Sequence, residues 1–175
     1  PIGAGIPGVR LDNAIGIMKA YSTCVGEGPF TAEMFGEEAE KLRAAGGEYG
    51  AATGRPRRVG PFDVPASRYG VRVQGADCIA LTKLDVLSYL DKIPVCTAYE
   101  IDGEKTTVFP TGDRLNRAKP VVEYMEGFGD VSKCRKYEEL PQAAKDYISY
   151  IEKAVECPVK YVSVGAGRDE YIKID

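Results

Sequence analysis

The segment from Pro141 to Glu156 constrains the fold more than any other, because Ala143, Ala144, Tyr147, Ile148, Ile151, Ala154 and Val155 recur at helical spacing and form one apolar stripe. Glu138 and Glu139 sit where the positive end of such a helix would favour carboxylates, and Cys157-Pro158 ends it. Val159 to Val164 then alternates as a strand does and runs into Gly165-Ala166-Gly167-Arg168, with Tyr171 to Ile174 as a last strand. A helix with one apolar face must lie on another layer, and the strands around it supply one.

The rest of the chain fits the same plan. Arg10 to Val25 reads as a short turn and then a buried strand, since β-branched and aromatic residues surround Gly16; Gly26, Gly28 and Pro29 end it. Glu37 to Ala45 is predicted helical, with Ala39, Leu42 and Ala45 on one face and Gly46-Gly47 as the stop. Pro65 to Gln74 permits a helix started by Pro65, with Ala66, Tyr69, Gly70 and Val73 on its stripe. Asp77 to Leu81 fits a short buried strand. Ile93 to Ile101 and Lys105 to Phe109 flank Asp102-Gly103, a strong hairpin signal, and Val121 to Met125 is a further strand closed by Gly127 and Gly129. No internal repeat, low-complexity tract or linker appears, so the expectation is a single α/β domain over 1–175 with a mixed sheet and flanking helices.

Composition narrows the function classes. No apolar run approaches the roughly 20 residues that span a bilayer, so membrane residence is not expected. A net charge of −3 speaks against a protein that wraps a nucleic-acid backbone, a task that needs a broad basic face. The five cysteines are scattered, without a Cys-x-x-Cys pair, and read as reduced thiols of a cytoplasmic protein and as small buried apolar residues. There is no histidine, which removes the commonest general base and zinc ligand. Pro1 stands where an initiator methionine would be, and Ile2 to Gly8 reads as the middle of a loop, so the chain is expected to be part of something longer.

Three segments carry chemistry. The turn Gly50-Ala51-Ala52-Thr53-Gly54-Arg55-Pro56-Arg57-Arg58 packs three guanidiniums onto a loop whose glycines let backbone approach a ligand closely. It reads either as a solvated basic turn or as an anion site, and a dicarboxylate such as aspartate matches the second. Lys83-Leu84-Asp85 follows an apolar strand-like run. It is either a salt-bridged helix start or a purine reader, because an ionised Asp85 accepts both N1–H and N2–H of guanine but repels the N1 acceptor of adenine, with the Lys83 stem over the base. Ser163-Val164-Gly165 at a strand end is either a plain turn or a partner of that site.

Ile15 to Thr23, Val25 to Phe30, Gly54 to Arg58, Leu81 to Leu87, Leu140-Pro141 and Ser163 to Gly165, in this order and across nearly the whole chain, resemble the C-terminal part of the adenylosuccinate synthetase family. The resemblance implies a portion of a larger P-loop-like fold that joins IMP and aspartate at the expense of GTP. GTP phosphorylates O6 of IMP, and the aspartate amine then displaces that phosphate. Ala51, Ala52, Thr53, Gly54, Arg55, Pro56 and Arg57 would hold aspartate. Val25 and Arg55 would contact IMP, and Arg57, Lys83, Leu84, Asp85, Ser163, Val164 and Gly165 would hold GTP. The same resemblance places Mg²⁺, its ligands, the phosphate loop, the catalytic aspartate and a histidine in a more N-terminal part, and implies a cytoplasmic homodimer. No catalytic residue or metal ligand is expected among these 175 residues, and the piece by itself is expected to be inactive. Two departures stand out. Ala52 replaces a threonine common in the family, removing a hydroxyl that could donate to the aspartate carboxylate, and Pro61 replaces a common tryptophan. The rival readings are a non-catalytic purine-binding or oligomerisation module and, with less support, a nucleic-acid binder using Arg55, Arg57, Arg58 and Arg68.

Overall fold

The computed structural model describes residues 2–6, 8 and 11–174. In chain order its strands are β1 (Ile15–Lys19), β2 (Ser22–Cys24), β3 (Arg58–Gly60), β4 (Phe62–Asp63), β5 (Cys78–Thr82), β6 (Lys92–Ile101), β7 (Glu104–Thr106), β8 (Lys119–Glu126), β9 (Val159–Ser163) and β10 (Tyr171–Lys173). The helices are α1 (Gly36–Gly46), α2 (Val64–Gln74), α3 (Asp113–Arg117) and α4 (Gln142–Val155). No helix among the described residues is long and apolar enough to cross a membrane.

The main sheet has the order β1-β5-β9-β10, with β1, β5 and β9 parallel and β10 antiparallel on the edge. Central strand β5 buries Cys78, Ile79 and Leu81, as a parallel strand covered on both faces must. Helix α4 is the predicted stripe: Ala144, Tyr147, Ile148, Ile151 and Val155 are buried, and the large ones among them contribute about 1.5–3 kcal/mol each by leaving water. The Tyr147 hydroxyl, inside that layer, donates to the Ala20 carbonyl at 2.7 Å. The helix stops where Glu156 turns left-handed (φ 59°), two residues before Pro158.

A second sheet is built around the ten-residue β6, which pairs parallel with β4 and antiparallel with β7 and β8. The predicted hairpin is present, with both Asp102 (φ 54°) and Gly103 (φ 87°) at the positive φ that a two-residue turn of this hand requires. Helix α2 is present but buries Val64, Pro65 and Val71, leaving Tyr69 and Val73 of the expected stripe exposed, and it is capped by Asp63, whose carboxylate accepts from the Ala66 N–H at 3.1 Å and from the Tyr99 hydroxyl at 2.6 Å. That carboxylate thereby ties the helix to β6.

Several expectations change. The single buried strand before Val25 is two strands broken at Ala20-Tyr21, and β1 is an edge strand with Ile15 and Ile17 exposed. The second hairpin strand ends at Thr106, and α3 and the short β3 and β4 carry no sequence signal that the periodicity detects. Glu138 and Glu139 do precede the start of α4, in a 3-10 turn (Tyr137–Glu139), but the Glu139 carboxylate accepts the Arg135 and Lys136 N–H groups rather than those of α4. The opening loop contains a 3-10 turn at Ile2–Ala4, while Pro1, Pro7 and Arg10 lie outside the described residues. Cys78, Cys96 and Cys157 are buried, Cys24 and Cys134 half-buried, and all five are free thiols.

Candidate functional site

The register of the parallel strands sets the site. Lys19 pairs with Thr82, and Leu81 with Val162, so the carboxyl ends of β1, β5 and β9 fall on one edge of the sheet, where open α/β sheets take their ligands. After Thr82 the chain bends sharply: Lys83 is left-handed (φ 60°) and a 3-10 turn (Leu84–Tyr89) follows. The bend aims the Lys83 N–H at Ser163 Oγ, 2.9 Å away on β9. Two of the predicted segments, distant in sequence, are thus joined.

Helix α1 delivers the third part. It ends at left-handed Gly47 (φ 60°), and the next residue, Glu48, turns inward to complete burial. Its Oε1 accepts from Lys83 Nζ (2.8 Å), Lys19 Nζ (2.9 Å) and the Tyr21 hydroxyl (2.5 Å), and its Oε2 from Arg57 Nη1 (2.9 Å) and Lys19 Nζ (3.0 Å). Burial alone would raise this carboxyl, but the hydrogen bonds from Lys83, Tyr21 and Lys19 outweigh it and bring it from 4.5 down to about 2. Tyr21 moves the other way, its phenol raised by burial and by the Glu48 carboxylate. Lys83 Nζ also donates to the Gly46 carbonyl at 2.7 Å, a cation on the negative end of α1.

The arginine loop closes on itself. Gly50 and Arg55 bond backbone to backbone at 2.9 Å, Gly54 N–H reaches the Gly50 carbonyl at 2.8 Å, and the Arg57 N–H reaches the Glu48 carbonyl at 2.9 Å. Gly54 takes φ 64°, which a side chain would resist. Residues 51–56 are exposed, and the Arg55 guanidinium has no ion-pair partner among the described residues, whereas Arg57 is held by Glu48. The third guanidinium does not belong to this group. Arg58, on β3, points away and binds Glu33 at 2.6 Å and the Gly26 and Gly28 carbonyls at 2.9 and 2.6 Å. Arg68, named with it in the nucleic-acid reading, is bound to the Ala154 carbonyl.

Asp85 lies at the start of the 3-10 turn with Oδ1 buried and without a hydrogen-bond partner. Burial raises its carboxyl, against the Asp85 backbone N–H and the Lys83 charge, which lower it. Leu84 and Val164 are fully buried, backbone included, and the Val164 N–H is bonded to the Glu170 carbonyl at 2.9 Å. Gly165 has Glu170 against it so closely that a Cβ there would stand 2.3 Å from Glu170 Oε2. Val25 is exposed at the end of β2, whose last residue, Cys24, pairs with Arg58. Ala52 is exposed in the loop. Pro61 is buried on the wall of a cleft of about 540 Å³ between α1, β6 and β8, whose lining also includes Tyr21 of the ion cluster.

Glu48, Lys19 and Tyr21 escape the sequence reading. The available signal was slight: one glutamate between the Gly46-Gly47 stop and the arginine loop.

Cations and a carboxylate gathered at the carboxyl ends of parallel strands, beside a glycine-bearing arginine loop, define an α/β protein built to bind anionic ligands. Residues 1–172 match the family model described as adenylosuccinate synthetase, and the chain belongs to that family. It is 48% identical over 176 residues to the adenylosuccinate synthetase of Synechococcus sp. (strain CC9902), covering 99% of this chain and 40% of that protein. It is 46% identical to that of Fusobacterium nucleatum, over 98% of this chain and 41% of the relative. The solved structure of the fully ligated adenylosuccinate synthetase from Plasmodium falciparum superposes with a TM-score of 0.89 at 37% identity, over 96% of this chain and 42% of that one. The chain therefore spans about two fifths of the length of these relatives.

Proposed function

We propose that these residues are the C-terminal, amino-acid- and guanine-binding part of a GTP-dependent ligase that forms adenylosuccinate from IMP and L-aspartate. The observation that carries the reading is the convergence of Arg57, from the arginine loop, and Lys83, from the guanine segment, on the one carboxylate of Glu48. Two ligands that must meet in one reaction need their binding elements on one side of the fold.

In this reading residues 51–57 fold over aspartate, with the unpaired Arg55 guanidinium reaching its carboxylate and the IMP ribose. Val25 meets IMP through its backbone. Asp85 accepts the N1–H and N2–H donors of guanine with its carboxylate, which selects GTP over ATP. Ser163 holds the Lys83 backbone in place for the base, Gly165 offers backbone to it, and buried Val164 supports that strand end from beneath. Arg57 lies between aspartate and GTP.

Phosphoryl transfer also needs a phosphate cradle and a divalent cation. Among the described residues no three His, Cys, Asp or Glu side chains are grouped, and in this reading the Mg²⁺ ligands belong to the more N-terminal part of the protein. A full-length protein of this family, proposed on the resemblance as a cytoplasmic homodimer, brings those parts together with the elements described above.

The test is to supply IMP, aspartate, GTP and magnesium and follow adenylosuccinate by absorbance. The full-length protein is expected to turn over and the 175-residue chain alone is not. Turnover by the short chain at the rate of the full-length protein, or none by the latter, overturns the reading.

A further inference from the structure

Glu48 is a costly residue to keep. A carboxylate with no exposure must be compensated, and replacing a buried ion cluster with apolar side chains is often neutral or stabilising. Here one carboxylate faces three cations, Lys19, Arg57 and Lys83, so the cluster carries more positive charge than it neutralises. All three keep part of their side chains in solvent, at 26, 34 and 35% exposure, while Tyr21 forms the buried floor. Charge is thus fixed on the inside and left free on the outside, where an anion arrives.

The two oxygens divide the work. Oε2 takes Arg57 of the arginine loop, Oε1 takes Lys83 of the guanine segment, and Lys19 touches both. The Glu48 backbone is pinned as well, donating to the Arg43 carbonyl and accepting from the Arg57 N–H, each at 2.9 Å. Displacing this carboxylate displaces both binding elements together.

We infer that Glu48 is a positioning residue that sets the arginine loop and the Lys83 segment as one unit, so that the amino-acid and guanine-nucleotide subsites rise and fall together. This rests on the assignment of those subsites under Proposed function. Nothing in the resemblance gives Glu48, or its partners Lys19 and Tyr21, a role. A carboxylate serving the fold alone would affect stability without singling out two of three substrates.

The experiment uses the full-length protein and the variants Glu48→Gln, Glu48→Asp, Lys83→Ala, Arg57→Ala and Glu48→Gln with Lys83→Ala. Glu48→Gln is expected to raise KM for aspartate and for GTP in parallel by about tenfold or more, leaving KM for IMP within about twofold, since each loses a charge-assisted bond worth a factor of this order. Glu48→Asp is expected to recover part of both losses. Lys83→Ala should cost GTP less in the Glu48→Gln background than alone, because the lysine is already released. If Lys83→Ala and Arg57→Ala leave the GTP and aspartate constants unchanged, the subsite assignment itself is wrong. If those two shift them and folded Glu48→Gln does not, only the role of Glu48 is overturned. Should Glu48→Gln not fold, Glu48→Asp and Tyr21→Phe decide: parallel increases for GTP and aspartate support the inference, and unchanged constants reject it.

Discussion

Lys83 and Ser163 are joined by a hydrogen bond from the lysine backbone N–H to the serine hydroxyl at 2.9 Å, which locks the carboxyl ends of β5 and β9 together where the chain leaves the sheet. The left-handed Lys83 cannot satisfy this N–H within a strand ladder, so the hydroxyl does so instead. Ser163→Ala is expected to lower stability by about 1–2 kcal/mol, the cost of leaving such a donor unmet, and to raise KM for GTP. Urea unfolding and steady-state kinetics of the full-length protein check both; a loss of stability with unchanged GTP binding would confine Ser163 to the fold.

Asp85 makes a sharper demand. Its buried Oδ1 has no donor, and an ionised carboxylate there matches two donors on one purine edge. Asp85→Asn replaces one acceptor with a donor, so KM for GTP should rise by at least about tenfold while KM for IMP stays within about twofold. Equal losses for both nucleotides would take Asp85 out of the guanine site.

Much of this was legible in the sequence, and the failures have physical causes. Helix α4 and the Asp102-Gly103 hairpin were readable because periodicity and turn chemistry are local. The break between β1 and β2 was not, because Ala20 and Tyr21 are apolar and look like a continuing strand; they are buried for a different reason, Ala20 accepting the Tyr147 hydroxyl and Tyr21 flooring the ion cluster. Arg57 and Arg58 seemed one basic group, yet successive residues of an extended chain face opposite ways, sending one to Glu48 and the other to Glu33. Glu48 was invisible because its partners lie 29, 9 and 35 residues away along the chain.

That division between neighbouring arginines gives a paired prediction. Arg55 is exposed and unpaired, so Arg55→Ala should leave the thermal midpoint unchanged and raise KM for aspartate. Arg58→Ala removes the donor to Glu33, Gly26 and Gly28 and leaves a partly buried carboxylate unmatched, costing about 1.5–3 kcal/mol. Calorimetry and kinetics on the two variants separate ligand from scaffold; the reverse pattern would exchange their roles.

Asp63 serves the fold twice, as the cap of α2 and as the acceptor for Tyr99. Burial raises its carboxyl, although the Tyr99 and Ala66 hydrogen bonds favour the charged form. Asp63→Ala loses both bonds and orphans a buried hydroxyl, for about 2–4 kcal/mol in denaturant unfolding. Asp63→Asn keeps one acceptor, for the Ala66 N–H, turns the other oxygen into an amide donor facing the Tyr99 hydroxyl oxygen, and no longer buries a charge, so it should cost less than the alanine variant at neutral pH. An alanine variant as stable as the asparagine one would show that neither bond matters.

The acid limb of the stability curve tests the Glu48 cluster. Its carboxyl lies at about 2 in the folded chain, below its ordinary value of 4.5, so folding favours the charged form. The stabilisation is complete above the unfolded value and disappears as pH falls through that interval, because protonated Glu48 leaves Lys19, Arg57 and Lys83 facing one another. Asp63 and Asp85, raised by burial, slope in the opposite direction and are common to every variant with a changed Glu48. Subtracting Glu48→Gln from the original therefore isolates the cluster. The urea midpoint of the original is expected to exceed that of Glu48→Gln at pH 6 and to converge on it as pH approaches 2; a difference that stays constant with pH would mean that Glu48 titrates alike in the folded and unfolded chain.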